Sequence, residues 1–452
     1  MARPGMLTLE QLRTSVDDGA IDTVLVAFTD MQGRLQGKRL HGRYFVDHVV
    51  GHGTEGCNYL LAVDVEMNTV EGYAMSSWEG GYGDFVMRPD LATMRPVPWQ
   101  PGTVIVLADI EWPDGSPVVA SPRQVLARQT QRLADAGLTA YVGTELEFIV
   151  FRDTYEQAWT AGYRNLTPAN QYNVDYSVLG TARVEPLLRR IRNDMTGAGF
   201  TVESAKGECN LGQHEIAFLY DEATRACDGH AVYKNGAKEI AAQEGMSLTF
   251  MAKFDAREGN SCHIHCSVRG TDGEPVMADG HGMSALGRSF VAGQLKYMRE
   301  LTLFLAPNIN SYKRYVEGSF APTALRWGRD NRTCAFRLVG HGASLRLENR
   351  VPGGDVNPYL ATAAVVAAGL AGIEERLELE PAFEGNAYED PTAEHVPTSL
   401  AEARDLWAGS EFARRTFGDD VVDHYANMAA VELAAFGRAV TDWERVRGFE
   451  RL

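Results

Sequence analysis

The first quarter of the chain carries short apolar runs of the kind that form β-strands. Strand-like stretches cover residues 22–30 (DTVLVAFTD), the extended part of MQGRLQGKRL, residues 58–65 (NYLLAVDV) and residues 103–112 (TVIVLADIEW). Runs rich in β-branched and aromatic residues, bounded by Gly, Asp and Pro, are typical of strands. This part is therefore predicted to be a small α+β domain dominated by strands.

A helical pattern then begins and marks a change of domain. In SPRQVLARQTQRLADAGL, Ser121 is a candidate N-cap, Pro122 fits the first turn, and Gly137 follows the last turn as a stop. A chain of 452 residues is also too long for one ordinary domain. We therefore predict an N-terminal domain over residues 1–115 and a second domain over residues 116–452.

The rest of the chain interleaves strands and helices without the regular alternation of a parallel sheet. A strand at 141–151 precedes an amphipathic helix at 182–197, Asn357 and Pro358 open a long apolar helix, and the tail is helical from about residue 398. Further strands are predicted in VESAKGECNLGQHEIAFLY (strand, loop and strand), SLTFMAKF, SCHIHCSV, CAFRLVG and ASLRLENR. We expect a mixed, largely antiparallel sheet backed by helices.

Composition and charge remove several classes of function. The formal net charge of −17 argues against a nucleic-acid-binding surface. Six cysteines in so long a chain do not indicate a disulfide framework, and the longest apolar run, at 359–372, is too short to span a membrane. The N-terminal segment lacks the apolar core of a signal peptide. A soluble, reduced, cytoplasmic protein without nucleic-acid or membrane partners is expected.

Two motifs invite a nucleotide or zinc interpretation that their surroundings do not support. GHGTEG at 51–56 matches G-x-G-x-x-G, but a strand-like segment follows where a phosphate site needs a helix N-terminus. CHIHC at 262–266 places His263 and His265 on one face of a strand and both cysteines on the other. Because the four cannot then meet at one tetrahedral ion, neither site is predicted.

The stretch GTELEFIVF, residues 143–151, holds two carboxylates on one face of a strand that is otherwise apolar. Side chains alternate with period two, so Glu145 and Glu147 point the same way. A buried pair of like charges resists ionisation or destabilises the fold unless a cation lies between them. A half-exposed strand with its polar face in water is the alternative interpretation.

Further acidic, imidazole and guanidinium side chains lie on strand-like pieces elsewhere. Each piece alone is consistent with a solvated or salt-bridged surface, but together they supply five glutamates and two histidines to one cavity: Glu145, Glu147, Glu208, Glu215, Glu348, His263 and His265. Carboxylates with an occasional imidazole suit Mg²⁺ or Mn²⁺ better than zinc. Arginines, whose planar fork binds phosphates and carboxylates, are numerous close by: Arg314, Arg332, Arg337, Arg346 and Arg350. The combination predicts phosphoryl transfer.

The order and spacing of these motifs resembles the class I glutamine synthetases over nearly the whole chain. The motifs are TELEF, GQHEI, HIH, NSYKR, NRTCAFR and ENRVPGGDVNPYLA. The resemblance implies an N-terminal β-grasp domain and a catalytic domain with a curved, open barrel-like antiparallel sheet and flanking helices. It also implies a homo-oligomer, a dodecamer of two hexameric rings with active sites between subunits.

The same resemblance implies roles for individual residues. It places one Mg²⁺ or Mn²⁺ on Glu147, Glu208 and Glu215, and a second on Glu145, His263 and Glu348. It places glutamate on Gly259, His265, Arg314 and Arg350, and the ATP phosphates on Arg332, Arg337, Arg346 and Arg350. The nucleoside would contact Glu203, Tyr220 and Ser267. Arg332, Arg337 and Arg350 are the predicted catalytic residues, and ATP is a co-substrate that converts the γ-carboxylate to an acyl phosphate for attack by an amine.

The sequence departs from the family at the site for ammonium. Where the family has the aspartate of F-D-G-S-S and the glutamate of Y-E-A-P, this chain has Ala74 in YAMSS and Phe320 in SFAPT. Without these two carboxylates, ammonium is expected to be a poor substrate. Tyr176 is the third residue assigned to the predicted amine pocket. A larger amine is therefore expected to replace ammonium as the acceptor.

The identity of the acceptor stays open between two groups of amines. A γ-glutamylpolyamine synthetase acting on putrescine, cadaverine, spermidine or spermine is the first hypothesis, with Glu79 or Asp84 holding the far ammonium group. A γ-glutamylethanolamide synthetase follows closely. A true glutamine synthetase and a catalytically inactive scaffold homologue are the alternatives. Glu258 stands where the family has an asparagine that helps to hold glutamate, which is a second departure from the family pattern. Tyr388 aligns with a tyrosine that some members adenylylate.

Overall fold

Two β-sheets organise the chain, and the computed structural model describes residues 5–280 and 282–452. The N-terminal sheet has the strand order β2-β1-β6-β4-β3, with β5 also paired to β6. Strand β1 is antiparallel to β2 and parallel to β6, so the first and last strands lie side by side. The strands are β1 Thr23–Thr29, β2 Leu35–His41, β3 Thr54–Cys57, β4 Asp84–Pro89, β5 Arg95–Pro96 and β6 Thr103–Glu111.

The strand predicted at residues 58–65 is wrong. A 3-10 helix spans Asn58–Leu61, and at its end the Ala62 backbone N–H donates to the Tyr59 carbonyl at 2.7 Å. The Asn58 side chain anchors this turn, because its Nδ2 donates to the Met75 carbonyl at 2.9 Å and its Oδ1 accepts from the Ser76 hydroxyl. Leu61, Ala62 and Val63 are buried and Val65 is exposed, and side-chain hydrogen bonds take the place of pairing with a neighbouring strand.

The larger sheet carries the features that position the candidate site. Its order is β15-β16-β17-β12-β7-β9-β8, with β10 and β11 also paired to β7, and only the β15–β16 pair is parallel. The expected mixed, largely antiparallel sheet is confirmed. The strands are β7 Leu138–Phe151, β8 Val202–Gly207, β9 Gln213–Phe218, β10 Asp221–Glu222, β11 Ser247–Thr249, β12 Cys262–Gly270, β15 Trp327–Arg329, β16 Phe336–Val339 and β17 Arg346–Asn349; β13 Ala278–Asp279 and β14 Gly282–Met283 form a separate pair.

Helices flank both sheets. The longer ones are α1 Leu9–Asp17, α4 Pro122–Asp135, α7 Glu185–Gly197, α8 Ala223–Gln243, α9 Ala285–Tyr297, α11 Pro358–Glu374, α12 Leu400–Gly409 and α14 Asp419–Arg438. The shorter ones are α2 Gly42–Tyr44, α3 Val50–His52, α5 Tyr155–Thr160, α6 Val178–Thr181, α10 Thr302–Leu305, α13 Glu411–Phe417 and α15 Asp442–Gly448. Asn357 caps α11 as predicted, with its side chain accepting from the Tyr359 N–H. Among the helices of the described residues, none combines the length and apolar character needed to cross a bilayer.

Two large hydrophobic clusters and a small third one around Cys334 make up the interior of the described residues. One lies in the N-terminal sheet around Phe28 and Phe85, and a much larger one joins the second sheet to its helices around Phe148 and Tyr233. A buried arginine, Arg123 on α4, links the two parts through ion pairs that reach both of them. Its guanidinium bonds to Asp90 and Asp109 on the N-terminal side, at 2.7 Å each, and to Asp228 on α8 at 3.0 Å. The exact domain boundary at residues 115 and 116 stays a prediction.

Candidate functional site

A cavity of about 250 Å³ opens on the face of the larger sheet that carries the strand glutamates. Strand register brings its acidic and imidazole residues together in cross-strand pairs. Glu145 on β7 lies opposite His263 on β12, and Glu147 lies opposite Glu215 on β9. Glu348 on β17 follows directly on the other side of β12. Antiparallel neighbours opposite one another have closely spaced side chains, so the pairing of four strands builds the site.

Three glutamates form the first group, which we call the Glu215 cluster. Glu147, Glu208 and Glu215 each present an oxygen within 4.8 Å of the other two. Glu147 accepts from the Ser261 hydroxyl at 2.6 Å, the Ser261 N–H at 2.8 Å and the Gln213 amide at 3.0 Å. These donors to Glu147 are uncharged, and the nearest cation to the other two glutamates is one lysine. The cluster therefore concentrates negative charge that the protein neutralises only in part.

The second group, the Glu348 cluster, consists of Glu145, His263 and Glu348, again within 4.8 Å of one another. The fully buried Glu348 carboxylate accepts from Arg350 Nη1 at 2.5 Å and Arg337 Nη1 at 2.9 Å. His263 Nδ1 lies 3.3 Å from an oxygen of each glutamate. The protein therefore surrounds this group with its own cations and ring nitrogens.

The carboxyl pKa values differ between the two clusters because the groups that surround them differ. Burial, followed by repulsion from Glu145 and Glu147, raises the pKa of Glu215 to about 8, against its ordinary 4.5. Burial also opposes ionisation of Glu145 and Glu348, but it is outweighed: hydrogen bonds from His263 and His265 lower the pKa of Glu145, and the interactions with His263 and Arg350 lower the pKa of Glu348. Ionised carboxylates are thus favoured in the Glu348 cluster and opposed at Glu215.

The oxygen-rich donor set of both clusters fits divalent ions. Glu147, Glu208 and Glu215 offer only carboxylate oxygens, which hard cations such as Mg²⁺ and Mn²⁺ prefer, and the second cluster adds one imidazole. Burial lowers the pKa of His263, which keeps the ring neutral and able to act as a ligand. These are the two ligand sets that the sequence resemblance implies, although their metal-binding role stays a prediction.

The arginines predicted to bind phosphate and glutamate approach the same cavity. Arg332, Arg337 and Arg350 line it, as does Arg314 beside Gly259. The Arg314 guanidinium is buried and donates to the carbonyls of Val351 and Arg350 at 2.8 and 2.9 Å. A Cβ on residue 259 would lie 2.1 Å from a backbone oxygen, so only glycine fits there. His265 adjoins the cavity through Glu145, to which its Nε2 bonds at 2.8 Å.

The predicted nucleoside contacts lie outside the cavity, at the far end of the same strands. Ser267 pairs with Tyr141 on β7, and the Tyr220 ring packs edge-on against Tyr141, with centroids 6.1 Å apart. Glu203 occupies the irregularity in the β8–β9 register and is exposed. Arg346, assigned to the ATP phosphates, instead donates from Nε to His265 at 3.2 Å. Glu203 lies on β8, Ser267 on β12 and Arg346 on β17, and the ATP-binding role of these residues stays a prediction.

Two of the three residues predicted for the amine pocket line the cavity. Tyr176 and Phe320 do so, and both have left-handed backbone conformations, with φ of +53° and +58°. Bulky residues adopt this conformation at an energetic cost, which is typical of functional segments. Ala74 is exposed on an N-terminal loop and does not line this cavity, so its predicted place beside Phe320 is not found within one chain. The proposed anchors Glu79 and Asp84 are likewise exposed outside the cavity.

Sequence reasoning missed several polar residues of the cavity. Lys206 bonds to Glu208, and Ser261 and Gln213 hold Glu147. Lys206 alternates with Glu208 in the segment KGE, a spacing that places both on one face of a strand. That signal was available, whereas the reach of Ser261 to Glu147 depends on the pairing of β12 with β7.

Comparison with known proteins gives consistent family matches over the whole chain. The sequence profile described as glutamine synthetase, catalytic domain, matches residues 119–447. A γ-glutamylethanolamide synthetase of Streptomyces coelicolor is 69% identical over 446 residues, covering 99% of this chain and 96% of the relative. A glutamate–isopropylamine ligase of a Pseudomonas species is 36% identical over 444 residues, covering 97% of each.

A solved structure supports the same relationship at the level of the fold. The protein GmaS in complex with ADP superposes with a TM-score of 0.86 at 26% identity, covering 97% of this chain and 99% of that one. Agreement over nearly the full length of both chains extends to the N-terminal sheet as well as the larger one.

Proposed function

This chain belongs to the glutamine synthetase family, and from that premise we propose that it is an ATP-dependent ligase that joins the γ-carboxylate of glutamate to a primary amine larger than ammonia. The observation that carries the proposal is the identity of 69% to a γ-glutamylethanolamide synthetase across 99% of the chain. The relative named for isopropylamine also takes an amine larger than ammonia by its name. Both names agree with the loss of acidic residues at Ala74 and Phe320.

Ethanolamine, or an amine of similar size, is the acceptor we favour. The sequence alone ranks polyamines first, but the two relatives named for their amines are named for ethanolamine and isopropylamine. Both amines are short and carry a single nitrogen. The far-ammonium anchors that a polyamine requires also lie outside the cavity in one chain, at Glu79 and Asp84.

Activation of a carboxylate by ATP accounts for the charged groups of the cavity. A γ-carboxylate oxygen attacks the terminal phosphorus of ATP and ADP leaves; the amine then attacks the acyl carbon, phosphate leaves, and the amine loses a proton. Arg332, Arg337 and Arg350 would hold the transferring phosphoryl group, while Arg314, Gly259 and His265 would hold glutamate. Divalent ions, Mg²⁺ or Mn²⁺ on the two clusters, would offset the charge that develops on the phosphoryl oxygens.

Assembly into a dodecamer of two hexameric rings is part of the proposal. It would allow Ala74 of one subunit to approach Phe320 of another, which one chain does not allow. Tyr388, the aligned modification site, donates its hydroxyl to the Ala321 carbonyl at 2.9 Å, next to Phe320. Adenylylation there would have to break this bond. All six cysteines are free thiols, which is typical of a reducing compartment, and we place the reaction in the cytoplasm.

Phosphate release in the presence of glutamate, ATP and a panel of amines tests the proposal. We expect turnover with ethanolamine and small alkylamines to exceed turnover with ammonium. Equal or faster turnover with ammonium would instead identify a true glutamine synthetase. If calorimetry detected no uptake of Mg²⁺ or Mn²⁺, the inactive scaffold homologue would be the better description.

A further inference from the structure

A lysine ammonium group occupies the side of the cavity where the amine pocket meets the Glu215 cluster. Lys206 Nζ bonds to Glu208 and lies 3.6 Å from an oxygen of Glu215. The same Nζ lies 5.0 Å from the centroid of the Tyr176 ring. One positive charge thus contacts a glutamate and faces an aromatic ring that both line the cavity.

The backbone holds this lysine in place. Lys206 on β8 pairs directly with Glu215 on β9, and its side chain is only 25% exposed. The neighbouring Gly207 carbonyl accepts from the Tyr176 N–H at 3.3 Å, which ties the tyrosine segment to the lysine strand. Fixing a long lysine side chain costs conformational entropy, which the two carboxylates and the ring offset.

A free ammonium ion is attracted by two kinds of group, a carboxylate and the face of an aromatic ring. Here both features of the pocket already bind the ammonium group of Lys206. This is a third departure from an ammonium-binding site, beyond Ala74 and Phe320. Unlike those two, it adds a positive charge to the cavity.

We propose that Lys206 determines amine specificity: its fixed charge disfavours diamines and favours acceptors whose far end is neutral, above all an amino alcohol. The inference rests on the proposed function. A hydroxyl group can accept a hydrogen bond from an N–H of Lys206, whereas a second ammonium group, which has no acceptor, is repelled. Like charges a few ångströms apart in a partly buried site repel strongly enough to exceed a tenfold difference in affinity.

Asp175 is a carboxylate of the cavity that would attract, rather than repel, the far ammonium group of a diamine. It also lines the cavity, and its Oδ2 lies 3.6 Å from the Cys209 thiol. Asp175 is exposed, so solvent screens its charge, while Lys206 is three-quarters buried. If Asp175 rather than Lys206 governed the far end of the acceptor, diamines would be preferred.

Putrescine and aminobutanol form a matched pair that differs only in the far group, ammonium or hydroxyl. We expect the wild-type kcat/KM for aminobutanol to exceed that for putrescine by at least about tenfold. Calorimetric binding of both amines in the presence of Mg²⁺, ADP and glutamate should show the same preference. Equal or better use of putrescine, with ethanolamine still turned over, would overturn the role of Lys206 and leave the proposed function intact.

Substitutions of Lys206 distinguish an effect of its charge from an effect of its packing. Lys206→Met keeps the apolar stem and should bring the aminobutanol-to-putrescine ratio close to one, while Lys206→Arg should retain the preference. Lys38→Met, at an exposed lysine of β2, is the matched control and should not change the ratio. An unchanged ratio in Lys206→Met would also overturn the inference. If Lys206→Met does not fold, the wild-type ratio and the Arg variant decide alone. Exclusive turnover of ammonium by the wild type would mean that the proposed function itself has failed.

Discussion

The two clusters of the cavity bury carboxylates side by side but neutralise them differently. In the Glu348 cluster, two guanidiniums and two imidazoles surround two carboxylates, and the pKa values of Glu145 and Glu348 are lowered. In the Glu215 cluster, one lysine contacts two of the three carboxylates, and the pKa of Glu215 is raised to about 8. The difference indicates which cluster depends on an added cation.

The buried carboxylates of the Glu348 cluster are balanced by arginine and histidine side chains of the protein itself. The ion pairs of Arg123 with three aspartates are a second example, and they link the two halves of the chain. The Glu215 cluster instead keeps an excess of negative charge inside the protein, which is costly unless a dication binds to the cluster. We therefore infer that the Glu348 cluster is stable by itself, and that the Glu215 cluster is built for an ion.

Matched Glu→Gln variants give the largest expected contrast. Glu348→Gln leaves Arg337 and Arg350 without a buried anion, so we expect the free energy of unfolding of the metal-free protein to fall by about 3–5 kcal/mol. Glu215→Gln removes a repelled charge and should leave the stability at pH 8 unchanged or higher. Thermal unfolding in the presence of a chelator measures both, with the exposed Glu384→Gln as control. Equal losses in the two cluster variants would contradict the comparison.

Addition of metal should act mainly through the Glu215 cluster. At a free ion concentration 100 times the dissociation constant, binding stabilises the folded protein by about 2.7 kcal/mol. We expect calorimetry of the wild type to resolve a tighter and a weaker site, and Glu215→Gln to lose the tighter one. Glu348→Gln should lose the weaker one. Loss of the tighter site in Glu348→Gln would reverse the assignment.

The metal-free protein should become less stable as the pH rises. Because the pKa of Glu215 is about 8 in the folded chain and its ordinary value is 4.5, the folded state binds more protons between these values. Its stabilising effect is complete below pH 4.5 and is lost as the pH rises through 8. A melting series from pH 5 to pH 9 should show this decline in the wild type and a flatter profile in Glu215→Gln. Identical profiles would show that another group is responsible.

The smallest expected effect concerns the donors that orient Glu147. Ser261→Ala removes the hydroxyl hydrogen bond of 2.6 Å but leaves the backbone N–H in place. Loss of one such bond is worth about 1 kcal/mol, so the tighter ion should bind about fivefold more weakly. Isothermal titration measures this. No change in affinity would mean that Glu147 is oriented by Gln213 and the backbone alone.

Much of the fold could be predicted because its signals are local. Period-two alternation placed Glu145 and Glu147 on one face of β7, and cap residues located the starts of α4 and α11. The segment at 58–65 failed because its structure is set by Asn58, whose partners Met75 and Ser76 are distant in sequence. An apolar run alone does not distinguish a strand from a buried turn.

The residue types of the candidate site could be predicted from the sequence, whereas the contacts between its side chains were harder to predict. The resemblance to the family grouped the six candidate ligands, and the structure places the same triplets within 4.8 Å. The residues that decide the charge balance were not visible as such. The spacing of KGE places Lys206 beside Glu208, but its contact with Glu215 follows only from the pairing of β8 with β9. The position of Ala74 on an exposed loop outside the cavity was likewise not visible in the sequence.

Anomalous diffraction from crystals given less Mn²⁺ than one ion per subunit tests the central claim most directly. Because the Glu215 cluster carries an excess of negative charge, we expect the first anomalous peak among Glu147, Glu208 and Glu215. A second peak beside Glu348 should follow only at a higher Mn²⁺ concentration. A first peak beside Glu348, or no peak at Glu215 at any concentration, would contradict the account.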